Sequence, residues 1–458
     1  MRLCVFSLLC TIASGQTFTT LDQMYGSSGA YALAPMIQGL DGNLYGTTQG
    51  GGYACISGGC GVIYKLAPDG TLTTLYTFEP PGLGAAPQSG LTQIPNGKFY
   101  GTACSGGGLG NYGTVFEITP TGVLTTLHSF AQTDGACPIA TLVRGLNGYF
   151  YGTTSSGGAD DLGTVFEISA AGQFVTLHNF EGVEGANPGA GLIEATDGNF
   201  YGTTSKGGVN GAGTVFRITP KGLLTSLHSF DGTDGSNPNA SLIQATDGNL
   251  YGTTSGGGSG GNGTVFQMSL SGTLNTFYAF AGGDTGSGPT GLIEATDGNF
   301  YGTTVGGGNT IHSSGIIYQL TPAAVLTVLW DFAQATGCNP KAPMVEATSG
   351  LFYGTTNQLG VGNGGSLFSL ATGLGPFVSL LPAVGTAGST VEILGTDLTS
   401  VTGVTFNGTP ATFTIVSPSQ VSAVVPTGAS TGRVQVLAPS GDLNSTSLFR
   451  ILSSEGQP

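Results

Sequence analysis

The decapeptide ATDGNFYGTT fills residues 195–204, and near-copies of it place a tyrosine at Tyr45, Tyr100, Tyr151, Tyr201, Tyr251, Tyr301 and Tyr353. Those positions are 55, 51, 50, 50, 50 and 52 residues apart. A motif that returns at a fixed period marks one supersecondary unit stacked on its own copies, because a unit this small cannot bury its apolar residues alone. The fullest copy, GLIEATDGNFYGTTSKGGVNGAGTVFRITPKGLLTSLHSF, runs over residues 191–230. It divides into four strands: Leu192 to Ala195, Asn199 to Thr204, Gly213 to Thr219, and Leu223 to Phe230. The first pair is joined by Thr196-Asp197-Gly198, with Asp-Gly supplying positive backbone dihedrals. The last pair is joined by Pro220-Lys221-Gly222.

Four short strands at a period near 50 describe a propeller blade rather than a helical solenoid. The expected fold is therefore all-β, a seven-bladed β-propeller. Side chains alternate along a strand, so Phe200 and Tyr201 point to opposite faces, and both faces are apolar, as a sheet sandwiched between two others requires. The repeated tyrosine is expected to fill space between blades, its hydroxyl satisfied by backbone or water. Seven YGT segments are followed by only six fourth strands, ending at Phe78, Phe130, Phe180, Phe230, Phe280 and Phe332. The missing strand is expected at the other end of the chain: TFTTL, Thr17 to Leu21, resembles LLTSL, should add to the blade of Tyr353, and would leave no open edge. Phe377 to Leu381 is the competing strand.

The first residues, MRLCVFSLLCTIASGQ, combine Arg2, an apolar run and the small residues Ala13-Ser14-Gly15, the order of a secretory signal peptide over 1–15. No later stretch reaches the length of a membrane span. Charged residues make up 8% of the chain, against about 25% in an average soluble domain. Lys+Arg 10 against Asp+Glu 25 gives a net charge of -15, too few cations to neutralise a run of phosphates, which excludes nucleic acid as an expected partner.

After residue 374 the YGT pattern stops, and alternating runs over 375–453 suit a small immunoglobulin-like β-sandwich, which leaves 16–374 to the propeller. The unit with DGNFYGTT, GTVF and LHSF resembles the GloVer tandem repeat of exported bacterial proteins described as having a choice of anchor. Copies one, two and seven drift, with Ala103 for the second threonine, Ile63-Tyr64 for Val-Phe, and Ser366-Leu367-Phe368 for Thr-Val-Phe. The tail, with SLLPAVGTAGSTVEILGTDL and VTFNGTPATFTIVSPSQVSAVVP, is similar to an IPT/TIG domain. The first resemblance implies export and a repeat fold with no reaction attached. The second implies a module used for contacts and spacing.

No motif marks a catalytic residue: there is no nucleophile elbow, HExxH or pair of catalytic acids. His128, His178 and His228 recur at one place in the fourth strand, on different blades and too far apart to share a metal, and are expected to be edge-strand polar residues. His312 lies in the loop GGGNTIHSSG. Asp41, Asp197, Asp247 and Asp297 are turn residues, replaced in other copies by Asn96 and Asn147. No cofactor is expected. Calcium is the one ion for which DGTDGSNPN from Asp231, and the segment around Asp160 and Asp161, offer oxygen ligands, without the full spacing of a known calcium loop. Two disulfides are expected, Cys55 with Cys60 and Cys104 with Cys137, leaving Cys338 over.

These features point to a secreted or cell-surface, monomeric binding or structural protein whose loop-rich face meets an extracellular polymer, a carbohydrate, or a protein. The competing class is an exported polysaccharide lyase or glycoside hydrolase on the same scaffold.

Overall fold

The computed structural model describes residues 15–52, 60–79, 84–108, 110–309, 314–358, 360 and 363–452. Among them there is no α-helix. Each of the seven tyrosines lies in the second strand of a four-stranded antiparallel sheet, and consecutive strands are neighbours in space. The sheets are called blades one to seven here, in the order of their tyrosines.

Blade four shows how the sequence builds the unit. Its strands are Ile193–Glu194, Phe200–Thr204, Thr214–Ile218 and Leu224–Ser229. Phe200, Tyr201, Val215, Phe216 and Ile218 are all buried, on both faces of the sheet. Each apolar cluster of the propeller therefore spans two blades. Tyr151, Val165 and Phe180 of blade three pack with Leu192, Phe200, Phe216 and Ile218 of blade four. The glycine of YGT is demanded by this packing. A side chain at Gly202 would meet Leu192 and Phe216 at 2.7 Å, closer than real carbon contacts allow.

The turn between the first two strands differs from the expected one. Only Gly198 takes a positive φ, 79°. Its N–H donates to the Ala195 carbonyl at 2.9 Å, and the Ala195 N–H to the Asn199 carbonyl at 2.9 Å. This is a three-residue loop closed by a glycine in the left-handed region, which spares Asp197 the steric cost of that conformation.

Blade seven is assembled from both ends of the propeller. Val345–Glu346, Leu351–Thr356 and Ser366–Ala371 are joined by Thr17–Gln23 on the outer edge. The register of that strand slips at Leu21, as the fourth strand of blade four slips at Leu227. Ser379–Leu381, the competing strand, pairs with Thr390–Leu394 in the C-terminal domain. That domain has two four-stranded sheets around Val391, Ile393, Phe406, Val421, Val436 and Phe449. Among the described residues no helix is long and apolar enough to cross a membrane.

Candidate ligand surface

The up-and-down order of the strands gives each blade two ends. One carries the tight turns between strands one and two and between strands three and four. The other carries the Gly-rich loops and the crossovers to the next blade.

The repeated polar residues are spent on internal bonds. The Tyr201 hydroxyl donates to Asp197 Oδ2 at 2.8 Å, and Asp197 also receives the Asn199 N–H at 3.1 Å. Tyr45, Tyr251 and Tyr301 bond Asp41, Asp247 and Asp297 in the same way, at 2.8, 3.0 and 2.9 Å. The expectation of a backbone or water partner is met only in part: the turn carboxylate is the nearer partner, and the Tyr201 hydroxyl also reaches the Leu270 carbonyl at 3.3 Å. Burial, then that carboxylate, pushes the Tyr201 phenol up to about 12, so it remains a donor. Asn147 instead donates to the Tyr151 hydroxyl at 2.7 Å, and Asn96 only receives the Lys98 N–H at 3.0 Å. The tyrosine rings cover the next blade: Tyr100 lies 4.2 Å from Phe150 and Tyr151 lies 4.0 Å from Phe200, centroid to centroid.

The threonines hold the other end. Thr204 Oγ1 bonds the Lys206 carbonyl at 2.9 Å and Thr214 Oγ1 at 2.8 Å, and Thr214 Oγ1 bonds the Glu184 carbonyl at 2.9 Å. One hydroxyl pair thus anchors a Gly-rich loop and the adjoining crossover. The histidines have a structural part rather than a free edge: His128, His178 and His228 pair with Asp134, Glu184 and Asp234 at 3.1, 3.3 and 2.6 Å. Burial pushes His128 below its ordinary pKa, with Asp134 opposing. His312 and Cys55 lie outside the described residues, and Cys60 is buried.

The loops considered for calcium are also internally engaged. Asp231 Oδ1 accepts the Thr233 N–H at 2.8 Å, and Asp161 Oδ1 accepts the Gly157 N–H at 2.8 Å. Asp160 is exposed. Among the described residues no group of three His, Cys, Asp or Glu is placed to hold a metal ion. Cys104 and Cys137 are joined by a disulfide across the seam between blades two and three. Cys338 is a buried free thiol.

One set of residues escaped the sequence argument. In six of the seven blades the last residue of the first strand reaches to the preceding blade and accepts a turn N–H there. Gln93 takes Leu40, Glu194 takes Leu146, Gln244 takes Thr196, Glu294 takes Thr246, Glu346 takes Thr296, and Gln38 takes Thr348, at 2.8 to 3.1 Å. The remaining seam has Pro95, which has no N–H, opposite Arg144, which has no acceptor. The signal was present as a column of Gln and Glu broken once by arginine, in the copy after the one whose turn has proline.

The C-terminal domain sits on the turn end. Ser419 Oγ donates to the Leu40 carbonyl at 2.9 Å, the Phe377 N–H donates to the Thr348 carbonyl at 3.0 Å, and Thr348 Oγ1 meets Thr396 Oγ1 at 3.1 Å. Burial pushes the Glu194 carboxyl up to about 7, opposed by its Leu146 hydrogen bond and by the Arg450 guanidinium of the C-terminal domain. Among the described residues no contact of the C-terminal domain reaches the loop end. There the residues that follow the crossover proline in blades two to seven, Gln88, Ile139, Gly189, Asn239, Thr290 and Lys341, all differ.

Comparison with known proteins matches this architecture. A streptogramin B lyase structure aligns with 15% identity and a TM-score of 0.54 over 78% of this chain and 97% of that one. A virginiamycin B lyase from Staphylococcus aureus aligns with the same identity and TM-score over 78% and 98%. At that identity the likeness shows the propeller fold alone. No curated protein sequence matched. Residues 377–451 match the IPT/TIG domain. Residues 5–148 and 138–291 match the Gloeobacter/Verrucomicrobia repeat, and by those two overlapping matches, which cover more than half of its length, the chain belongs to that family.

Proposed function

We propose that this protein is an exported binding protein whose loop end is the ligand surface for an extracellular carbohydrate or protein, with the IPT/TIG domain as a spacer or second contact on the opposite end. The observation that carries it is the division of labour between the two ends. The repeated Tyr, Asp, Thr and His side chains bond one another, and the turn end is partly covered by the C-terminal domain. Variable side chains are presented on rigid seams at the loop end, where ligands are usually met. The disulfide between Cys104 and Cys137 supports an oxidising compartment.

An enzyme needs convergent titratable groups around one reacting atom. Of the residues that follow a crossover proline, Lys341 is the one with a titratable side chain. The test is a glycan and polysaccharide array probed with the purified mature chain, with product analysis on every hit. Binding without turnover is expected. Release of shorter sugars overturns the proposal in favour of a lyase or hydrolase.

A further inference from the structure

The seam between blades five and six departs from its neighbours. The residue before the crossover proline takes a left-handed backbone at Cys137, Asn187, Asn237 and Asn339. Where it is asparagine, the side chain can occupy this space: Asn187 Nδ2 donates to the Ser155 carbonyl across the seam between blades three and four at 2.9 Å, and Asn339 Nδ2 donates to Gln358 Oε1 within blade seven at 2.6 Å. Blade six has Gly288 there, with φ 63°, and no side chain fills the space. A cavity of about 540 Å³ lies beside it, lined by Asn239, Ser255, Asn262, Ser287, Val305 and Lys341 among others. That is within the roughly 300–1,000 Å³ of ordinary ligand sites.

The cavity is chemically selective. Among the described residues its lining holds no acidic side chain, in a chain with 25 acidic residues against 10 basic ones. Among the described residues Lys341 has no carboxylate at ion-pair distance. Asn239 Nδ2 makes only a long contact of 3.5 Å to Ser255 Oγ, so it can donate to a ligand. Asn262 Nδ2 is held by the Gly260 carbonyl at 2.7 Å, which turns its amide oxygen into the available acceptor. An ammonium, neutral amides, hydroxyls and an apolar wall from Val305 suit a sugar ring that carries one negative group.

We infer that the seam between blades five and six is a subsite for a sugar unit bearing a carboxylate or a sulfate ester, with the Lys341 ammonium at the anion and Asn239 and Asn262 at the ring hydroxyls. This rests on the carbohydrate branch of the function proposed above.

Calorimetry on the mature chain with trigalacturonate, a sulfated galactose disaccharide and neutral galactotriose tests it, using Lys341→Gln and Gly288→Asn. The second variant restores the residue that blades four and five carry at the same backbone conformation. A Cβ on Gly288 meets nothing closer than 3.7 Å, and thermal unfolding of both variants checks that they fold. Wild type is expected to bind an anionic sugar at least tenfold more tightly than galactotriose, with affinity falling as salt rises. Lys341→Gln should abolish that preference, and Gly288→Asn should weaken every bound probe tenfold or more. The tighter anionic probe identifies carboxylate or sulfate. Binding that survives both variants refutes the subsite and leaves the loop-end proposal standing. Equal affinity for the neutral probe, or no binding of any probe, also refutes the subsite, while the array decides the broader proposal independently.

Discussion

The Met24 N–H donates to the Gly365 carbonyl at 2.9 Å, as the Phe230 N–H donates to the Gly213 carbonyl at 3.0 Å within blade four. A residue near the start of the described chain thereby performs for blade seven what a hairpin-connected strand performs for its own blade. The closure is sealed on its other side by Phe18, which stacks on Trp330 of blade six at 4.2 Å with the rings 4° from parallel.

Trp330 is the single tryptophan of the chain, so its fluorescence reports on this closure. Phe18→Ala removes the stacked ring and exposes the indole. The emission maximum should shift to the red, and stability should fall by about 2 kcal/mol, below the usual cost for a fully buried ring because Phe18 is only partly buried. An unchanged spectrum would show that the N-terminal strand is not seated in blade seven.

The bond between Tyr201 and Asp197 should appear as a coupling energy. Tyr201→Phe and Asp197→Ala each remove it, and a double-mutant cycle by urea denaturation should give about 1 kcal/mol of interaction. A coupling near zero would mean that the hydroxyl is satisfied elsewhere, as backbone or water would do.

Pro95 and Arg144 form a natural compensation. Pro95→Thr alone supplies an N–H with no acceptor, and Arg144→Glu alone supplies an acceptor with no donor. Together they recreate the bond that Thr246 and Glu294 make at 2.8 Å. The double variant should melt higher than the sum of the single effects predicts, and additive melting temperatures would show that the two residues do not meet.

The Glu194 carboxyl, raised by burial from its ordinary 4.5 to about 7, binds its proton more tightly folded than unfolded. Between those two values the native state holds more protons, so this group's contribution to stability falls as pH rises through the window and is level above it. Glu194→Gln keeps an acceptor for the Leu146 N–H, as Gln244 does for Thr196 at 2.9 Å, and cannot ionise. It should flatten the decline in melting temperature between about pH 5 and 7. An unchanged pH profile would assign the decline to other groups.

The disulfide between Cys104 and Cys137 spans 33 residues, for which loop closure alone suggests about 3–4 kcal/mol. At the next seam the corresponding residues are Ser155 and Asn187, bonded at 2.9 Å. The double variant Cys104→Ser with Cys137→Asn should therefore recover part of that stability, and should melt above a reduced wild type. A double variant that melts no higher than the reduced protein would show that the hydrogen bond does not substitute.

The blade was legible in the sequence because its causes are local. Alternation in FYGTT and TVFRI sets two buried faces, the glycines set the turns, and the period sets how often the unit returns. The likeness of TFTTL to the fourth strands pointed to the edge that Thr17–Gln23 occupies, because that strand repeats a pattern already seen elsewhere in the chain. Even the local reading missed the turn's detail: the Asp-Gly pair suggested two positive dihedrals, and the structure needs one, at Gly198.

What the sequence alone could not assign were partners brought together by the ring. Gln38 and Thr348 are 310 residues apart and bond at 2.9 Å. The Ser419 hydroxyl reaches Leu40 across 379 residues, which fixes the end on which the C-terminal domain sits. Strand pattern determines which face of a blade is apolar, but it carries no information about which polar groups meet once the sheets close. The cavity beside Lys341 has the same origin: a glycine for an asparagine at residue 288 changes little within its own blade, and becomes a site only because blades five, six and seven converge there.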